Sequence, residues 1–155
     1  MDKLNLLTTK FPELVRSADP NVMPVFGKMN LQQMVEHVSY AVRNANGKLS
    51  FELLTPPERV EAMQHFVRSE KEFKPNTKNV LLGEEPEPVK NKNITSALKE
   101  YEMEIKDFQN YFAKDPNAVL MNPFFGPLNF SDWCDLLYKH EVHHLKQFKL
   151  IEIAD

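Results

Sequence analysis

The sequence predicts an all-α chain, and three observations carry that expectation. Apolar residues recur at three- and four-residue intervals through several long stretches. The 11 prolines fall mainly between those stretches, where they punctuate rather than interrupt. Glycine is scarce, at 4 residues, which argues against a many-turned β fold and against a Gly-rich phosphate loop. Four long periodic segments and a shorter one before them make a four-helix bundle the natural architecture, with an extra short N-terminal helix and a long crossover loop.

The opening stretch, about residues 2–18, spaces Leu4, Leu7, Phe11, Leu14 and Val15 nearly as a helix does. Pro12 is tolerated only near a helix start, so a broken or short helix is expected there. Asp19-Pro20 through Pro24 reads as a loop. Asn30 can then cap a helix of about residues 31–46, with Gln33 completing a capping box. Its apolar stripe is Leu31, Met34, Val35, Val38, Ala41, Val42 and Ala45, and Gly47 can supply the left-handed turn at its end.

Thr55 and Pro56 read as N-cap and first position of a third helix, about residues 56–70. From Phe73 to Lys92 the chain turns polar and proline-bearing, a crossover with room for a short extended piece at Asn79–Leu82. Leu98, Tyr101, Ile105, Phe108 and Phe112 repeat as a seam on a helix of about residues 94–113. A loop from Lys114 to Leu128 follows. Asn129 and Asp132 form a second capping-box pattern, opening a last helix that runs to about Phe148.

At 155 residues the chain fits a single domain, residues 1–155, that buries a core without staples. A hydrophobic share of 42% and a charged share of 26% match ordinary globular proteins, which excludes global disorder. The net charge of −3 and the scattered basic residues argue against nucleic acid and anionic membranes as partners. One cysteine, Cys134, allows no intrachain disulfide and suits a reducing compartment. No leader-like N-terminal segment and no apolar run of about 18 residues occurs, so a cytoplasmic setting is the expectation.

The chemistry concentrates in the histidines. The sequence has 5, of which His140, His143 and His144 share the last helix and His37 sits within the second. At about 100° per residue, with His140 at zero, Trp133 falls near 20°, Gln147 near −20°, His144 near 40° and His143 near −60°. His140 and His144 therefore share the core-facing side one turn apart, close enough to converge on one cation. His143 lies at its border, Val142, Lys146 and Lys139 point away, and Cys134 lies on the outer flank, a poor ligand. His37 stands about 100° from Val38, the centre of its stripe, at a boundary facing a groove between helices. A bundle can bring it opposite the pair, giving three nitrogen ligands with positions left open, the pattern of a reactive rather than a structural site. The competing reading is solvated or hydrogen-bonded histidines. His65 has no partner histidine and reads as structural or solvent-facing.

Two motifs carry a resemblance to a known family. Phe26-Gly-Lys-Met-Asn-Leu-Gln-Gln-Met-Val-Glu-His37 resembles the segment that bears the first metal histidine of the DinB/YfiT-like superfamily. Asn122-Pro-Phe-Phe-Gly126, the Trp133 helix and Tyr138-Lys-His-Glu-Val-His-His-Leu-Lys-Gln-Phe148 resemble the segment bearing the other two. The family pattern of His, three residues, His, two residues, Gln maps onto His140, His144 and Gln147. The resemblance implies a four-helix bundle of up-down-down-up character with a His-rich divalent metal site at one end. It also implies low-molecular-weight thiols as a possible cofactor class, through thiol-dependent S-transferases and isomerases, and frequent homodimers. The chain departs from the pattern at Asn122, where one branch often has His, and at Leu145-Lys146, where many relatives carry Arg-Gly. Those positions bear on the substrate side and leave the ligands intact.

Two functional classes follow. One is a metal-dependent transferase or hydrolase acting on a small molecule, with zinc or nickel held by His37, His140 and His144. Gln147 or His143 would then orient a ligand or move protons, and Phe124, Phe125 and Trp133 would line an apolar approach, unless those aromatics are ordinary core. The other is a non-catalytic metal-binding or stress-associated module with the same fold.

Overall fold

The computed structural model describes residues 2–77, 79 and 81–152. In chain order the elements are α1 (Lys3–Asn5), a π-helical turn (Leu6–Lys10), α2 (Phe11–Ser17), α3 (Leu31–Ala45), a 3-10 turn (Pro57–Arg59), α4 (Val60–Arg68), α5 (Ile94–Lys114), β1 (Leu120–Asn122), β2 (Gly126–Leu128) and α6 (Phe130–Gln147). The protein is mostly helical, as its periodicity predicts. None of its described helices is long and apolar enough to cross a membrane.

The N-terminal segment is a helical rod interrupted by a π turn, with Pro12 in the first turn of α2, as its sequence predicts. Its π turn carries the Phe11 N–H to the Leu6 carbonyl, five residues back. That widening sits just ahead of Pro12, which brings no N–H and would crowd the carbonyl of a regular turn. The rod buries Leu6, Leu7, Phe11 and Val15. It also covers α6 near Cys134, with Lys3 paired to Asp135. Cys134 is therefore buried, not on an outer flank, and burial pushes its thiol pKa up to about 12. The helical wheel locates its direction correctly but cannot show what covers that side.

α3 starts with the full capping box: Gln33 N–H donates to Asn30 Oδ1 at 2.8 Å, and Asn30 N–H to Gln33 Oε1 at 2.9 Å. The stripe from Leu31 to Ala45 is sealed against α5, whose seam residues Leu98, Tyr101, Ile105, Phe108 and Phe112 are all buried. α6 packs against both α3 and α4. At its N-terminus Asn129 accepts from Asp132 N–H, but only half of the expected box forms. The Asp132 carboxylate instead grips Arg68 of α4 with bonds of 2.8 and 3.1 Å.

α4 begins later than expected because of its two prolines. Pro57 forces Pro56 into extended backbone, ψ 135°, so regular helix starts only at Val60. The Thr55 hydroxyl then donates to the Phe124 carbonyl at 2.7 Å rather than capping the helix. The crossover after α4 carries a turn at the expected extended piece, with Leu82 N–H bonded to Asn79 O at 3.1 Å. Val80 of that piece lies outside the described residues. The far end of the crossover is held by Glu36, which accepts from Lys90 N–H at 2.7 Å and Asn91 N–H at 3.1 Å. Burial alone would raise the Glu36 pKa, but those donors, with Gln32 and the Asn91 amide, hold it below the usual value.

The segment read as a loop before α6 contains an antiparallel hairpin, with Asn122 opposite Gly126. Three-residue strands leave too little alternation to read from sequence. The turn is made by the Asn122 side chain, which accepts from Phe124 N–H at 2.8 Å and Phe125 N–H at 3.0 Å. Gly126 closes it at φ +78°, and a Cβ there would stand 2.6 Å from Val60 Cγ1. Gly126→Ala combines left-handed strain with that collision and should cost about 2–3 kcal/mol of stability. Chemical denaturation checks this, and a change below about 0.5 kcal/mol would show that the hairpin yields freely.

Candidate metal centre

α6 positions the site because its apolar residues leave no freedom of rotation. Trp133 and Leu137 are buried in the core, and on the same side one turn further lie His140 and His144. α3 supplies His37 from across the helix interface. The three rings meet through one atom each. His37 Nε2 stands 3.1 Å from His140 Nε2, and His144 Nε2 stands 3.1 Å from the same atom. The three ligand atoms all lie within 4.8 Å of one another.

The two 3.1 Å separations fit an ion. Nitrogen ligands about 2.1 Å from a metal stand about 2.9–3.4 Å apart, depending on the coordination angle. Such separations fit an empty cluster of imidazoles poorly. His140 Nε2 faces two other ring nitrogens and can offer at most one proton between them.

The outer hydrogen bonds make the same point for His144. Gln147 Nε2 donates to the Phe26 carbonyl at 2.9 Å, which turns Gln147 Oε1 toward His144 Nδ1 at 2.7 Å. An amide oxygen can only accept, so His144 Nδ1 carries the proton and its Nε2 presents a bare lone pair. Gly27 makes room for this arrangement: at φ +76°, a Cβ there would stand 2.8 Å from Gln147 Nε2. Gln147→Ala should therefore weaken zinc binding about 10- to 100-fold while the three imidazoles remain. Competition against a chromophoric chelator measures it, and an unchanged affinity would mean that the amide does not orient His144.

Burial dominates the electrostatics. It lowers the His37 pKa from 6.5 to about 4, with His143 nearby adding to the effect. Burial, and then the neighbouring histidines, hold His140 and His144 well below the ordinary value. All three are neutral at pH 7, the form that ligates metals. His140 Nδ1 is buried without a hydrogen-bond partner among the described residues.

The other expected site residues are dispersed around this cluster. His143 is half-buried beside it, its ring 4.9 Å from that of His144 and 5.3 Å from that of Phe26. It is not one of the converging ligands; burial lowers its pKa, and the Phe73 backbone and Glu72 oppose that. Trp133 is fully buried in the core. Phe125 is buried and stacks on Phe66 with ring centroids 6.4 Å apart, and Phe124 packs against the core at the hairpin turn. His65 is exposed on α4, as expected.

Sequence reasoning missed Phe73, whose ring lies 6.4 Å from that of His140. Nothing in its polar surroundings marks it. Lys139 and Lys146 point away from the ligand side, as the helical wheel predicts, yet Lys139 is 7% exposed and the Lys146 side chain 17%. The segment after α4 lies across both, a tertiary contact that no helical wheel contains.

Fold and site together define a helical protein whose three imidazoles lie near enough to hold one metal ion. The sequence profile of the DinB superfamily matches residues 8–148, and the chain belongs to that superfamily. No curated protein and no solved structure matches the chain.

Proposed function

We propose that this protein is a divalent-metal-dependent enzyme on a DinB/YfiT-like four-helix bundle, acting on a small molecule as a thiol-dependent S-transferase or a hydrolase. The observation that carries the reading is the convergence of three neutral imidazole nitrogens, those of His37 and His144 each 3.1 Å from that of His140 and all three within 4.8 Å, with no carboxylate in the set. His37, His140 and His144 would hold the ion. Imidazole ligands suit zinc or nickel, and three protein ligands leave room for a substrate atom. When bound, such an ion supplies Lewis acidity, its charge undiminished by the ligands, and lowers the pKa of a water or a low-molecular-weight thiol beside it. Gln147 keeps His144 in the ligating tautomer, and Phe26 and Phe73 border the histidines with apolar surface. A cytoplasmic setting and a homodimer belong to the same proposal.

One observation favours a second reading, a non-catalytic metal-binding or stress-associated module. His143, the nearest candidate for a proton carrier, stands outside the converging set, with its ring 6.1 Å from that of Phe73. Turnover separates the two. Metal-loaded protein is assayed for thiol transfer to an activated haloarene and for hydrolysis of activated esters, beside His140→Ala. A rate at least about tenfold above the variant supports the enzyme. Equal rates for the two proteins across both screens favour the module.

A further inference from the structure

α6 carries a second stripe beside the ligand stripe. At about 100° per residue, Lys139, His143 and Lys146 fall within about 60° of one another, roughly a quarter-turn from His140, His144 and Gln147. All three meet the chain that leaves α4. Lys139 Nζ donates to the Ser69 carbonyl at 3.0 Å and to the Lys71 carbonyl, and it lies 4.8 Å from the centre of the Phe66 ring. Lys146 pairs with Glu72. Between them the His143 ring stands 6.1 Å from the Phe73 ring.

Residues 69–73 have no regular secondary structure of their own. Their local bonds are a turn of Ser69 back to Phe66 and the Lys71 N–H to the Ser69 hydroxyl. The lysines are what tie this segment across α6. The result is the position of Phe73, packed on Phe66 at 5.4 Å and Phe125 at 6.2 Å, with its ring edge-on to His140.

We propose that residues 69–73 form a strap, latched to α6 by Lys139 and Lys146, that holds Phe73 beside the triad and controls access to its imidazoles. Burying a lysine against backbone carbonyls has a purpose in this arrangement. The bonds are charge-assisted and hold irregular backbone firmly, yet they can open without disturbing the core. The Phe73 ring, 6.4 Å from that of His140, is an apolar neighbour of the triad that the latch holds in place. The inference concerns access to the rings and stands apart from what the rings bind.

The test uses metal-free protein, so that failure to load a metal does not touch it. Histidines are acylated with diethyl pyrocarbonate at pH 7 and quantified peptide by peptide. Exposed His65 on α4 is the internal reference. Wild-type His140 should react at least about tenfold more slowly than His65. Glu72→Gln opens the latch from the exposed strap side, Lys139→Met opens it from α6, and Phe73→Ala removes the ring. Each should raise the His140 rate relative to His65 about three- to tenfold, with hydrogen exchange accelerated only around the strap. A ratio that stays at the wild-type value in all three variants overturns the strap. So does a rise accompanied by faster exchange throughout α5, which would report general loosening.

Discussion

Replacing His140 with alanine is expected to abolish metal retention, and His37→Ala and His144→Ala should do the same. Protein purified without a metal-affinity tag should carry about one zinc or nickel per chain, and each variant almost none. Loss of one nitrogen from three should weaken binding by at least about a hundredfold, because two imidazoles cannot enclose the ion. His140 is the most telling position, since its Nε2 is the atom that both other rings approach to 3.1 Å. Elemental analysis with a thermal melt checks the result. Wild-type stoichiometry in folded variants would remove the triad from consideration. Saturating zinc should also raise wild-type stability by about 4 kcal/mol at a thousandfold excess over Kd, and leave the variants unmoved.

Acid should act on the same residues with a definite sign. The unfolded chain protonates its histidines near pH 6.5, whereas desolvated His37 in the folded chain resists until about pH 4. Between those values the unfolded state binds more protons, so stability falls as pH is lowered through that window. His37 alone contributes a slope approaching about 1.4 kcal/mol per pH unit, and His140 and His144 add to it. Denaturant midpoints measured from pH 7 to 4.5 should show this loss, shallower in His37→Ala. Metal should be released over the same range.

The second large effect is expected at Glu141, on the side of α6 turned toward α5. Its side chain is fully buried, and among the described residues neither carboxylate oxygen has a partner in good hydrogen-bond geometry. The Tyr101 hydroxyl beside it is the only side-chain group that opposes the effect of burial on its pKa. Neighbouring Tyr101 gives its hydroxyl proton to the Leu7 carbonyl at 2.9 Å. Burial pushes the Glu141 pKa well above the carboxylate range. Above about pH 4.5 the unfolded chain releases this proton while the folded chain keeps it, so stability falls as pH rises. Glu141→Met, of similar volume and apolar, should therefore stabilise the protein by about 2 kcal/mol at pH 8. The gain should shrink toward pH 5. A destabilised variant with no pH dependence would show instead that the carboxyl is satisfied where it lies.

Much of this molecule was legible before any coordinates. The i, i+3, i+4 spacing on α3 and α5 is a property of helix geometry, so Leu31, Val38, Leu98 and Phe108 announce both the helices and their buried faces. Asn30 with Gln33 announces a boundary, because capping is a local transaction between a side chain and the nearest backbone donors. The ligand pair His140 and His144 is local too, one turn apart on one side of one helix. Where local rules competed, sequence reading slipped by a few residues: the pair Pro56-Pro57 delays α4 to Val60.

Tertiary structure decided the rest. The approach of His37 to the α6 pair depends on how α3 and α6 cross, which the spacing along either helix does not contain. The burial of Cys134 depends on the N-terminal rod, and that of Lys139 on the strap after α4. Local sequence determined which residues share a helix face. Only the packing of distant segments decided which of those faces meet solvent, a strap or a metal ion, because that choice is made by contacts between residues far apart in the chain.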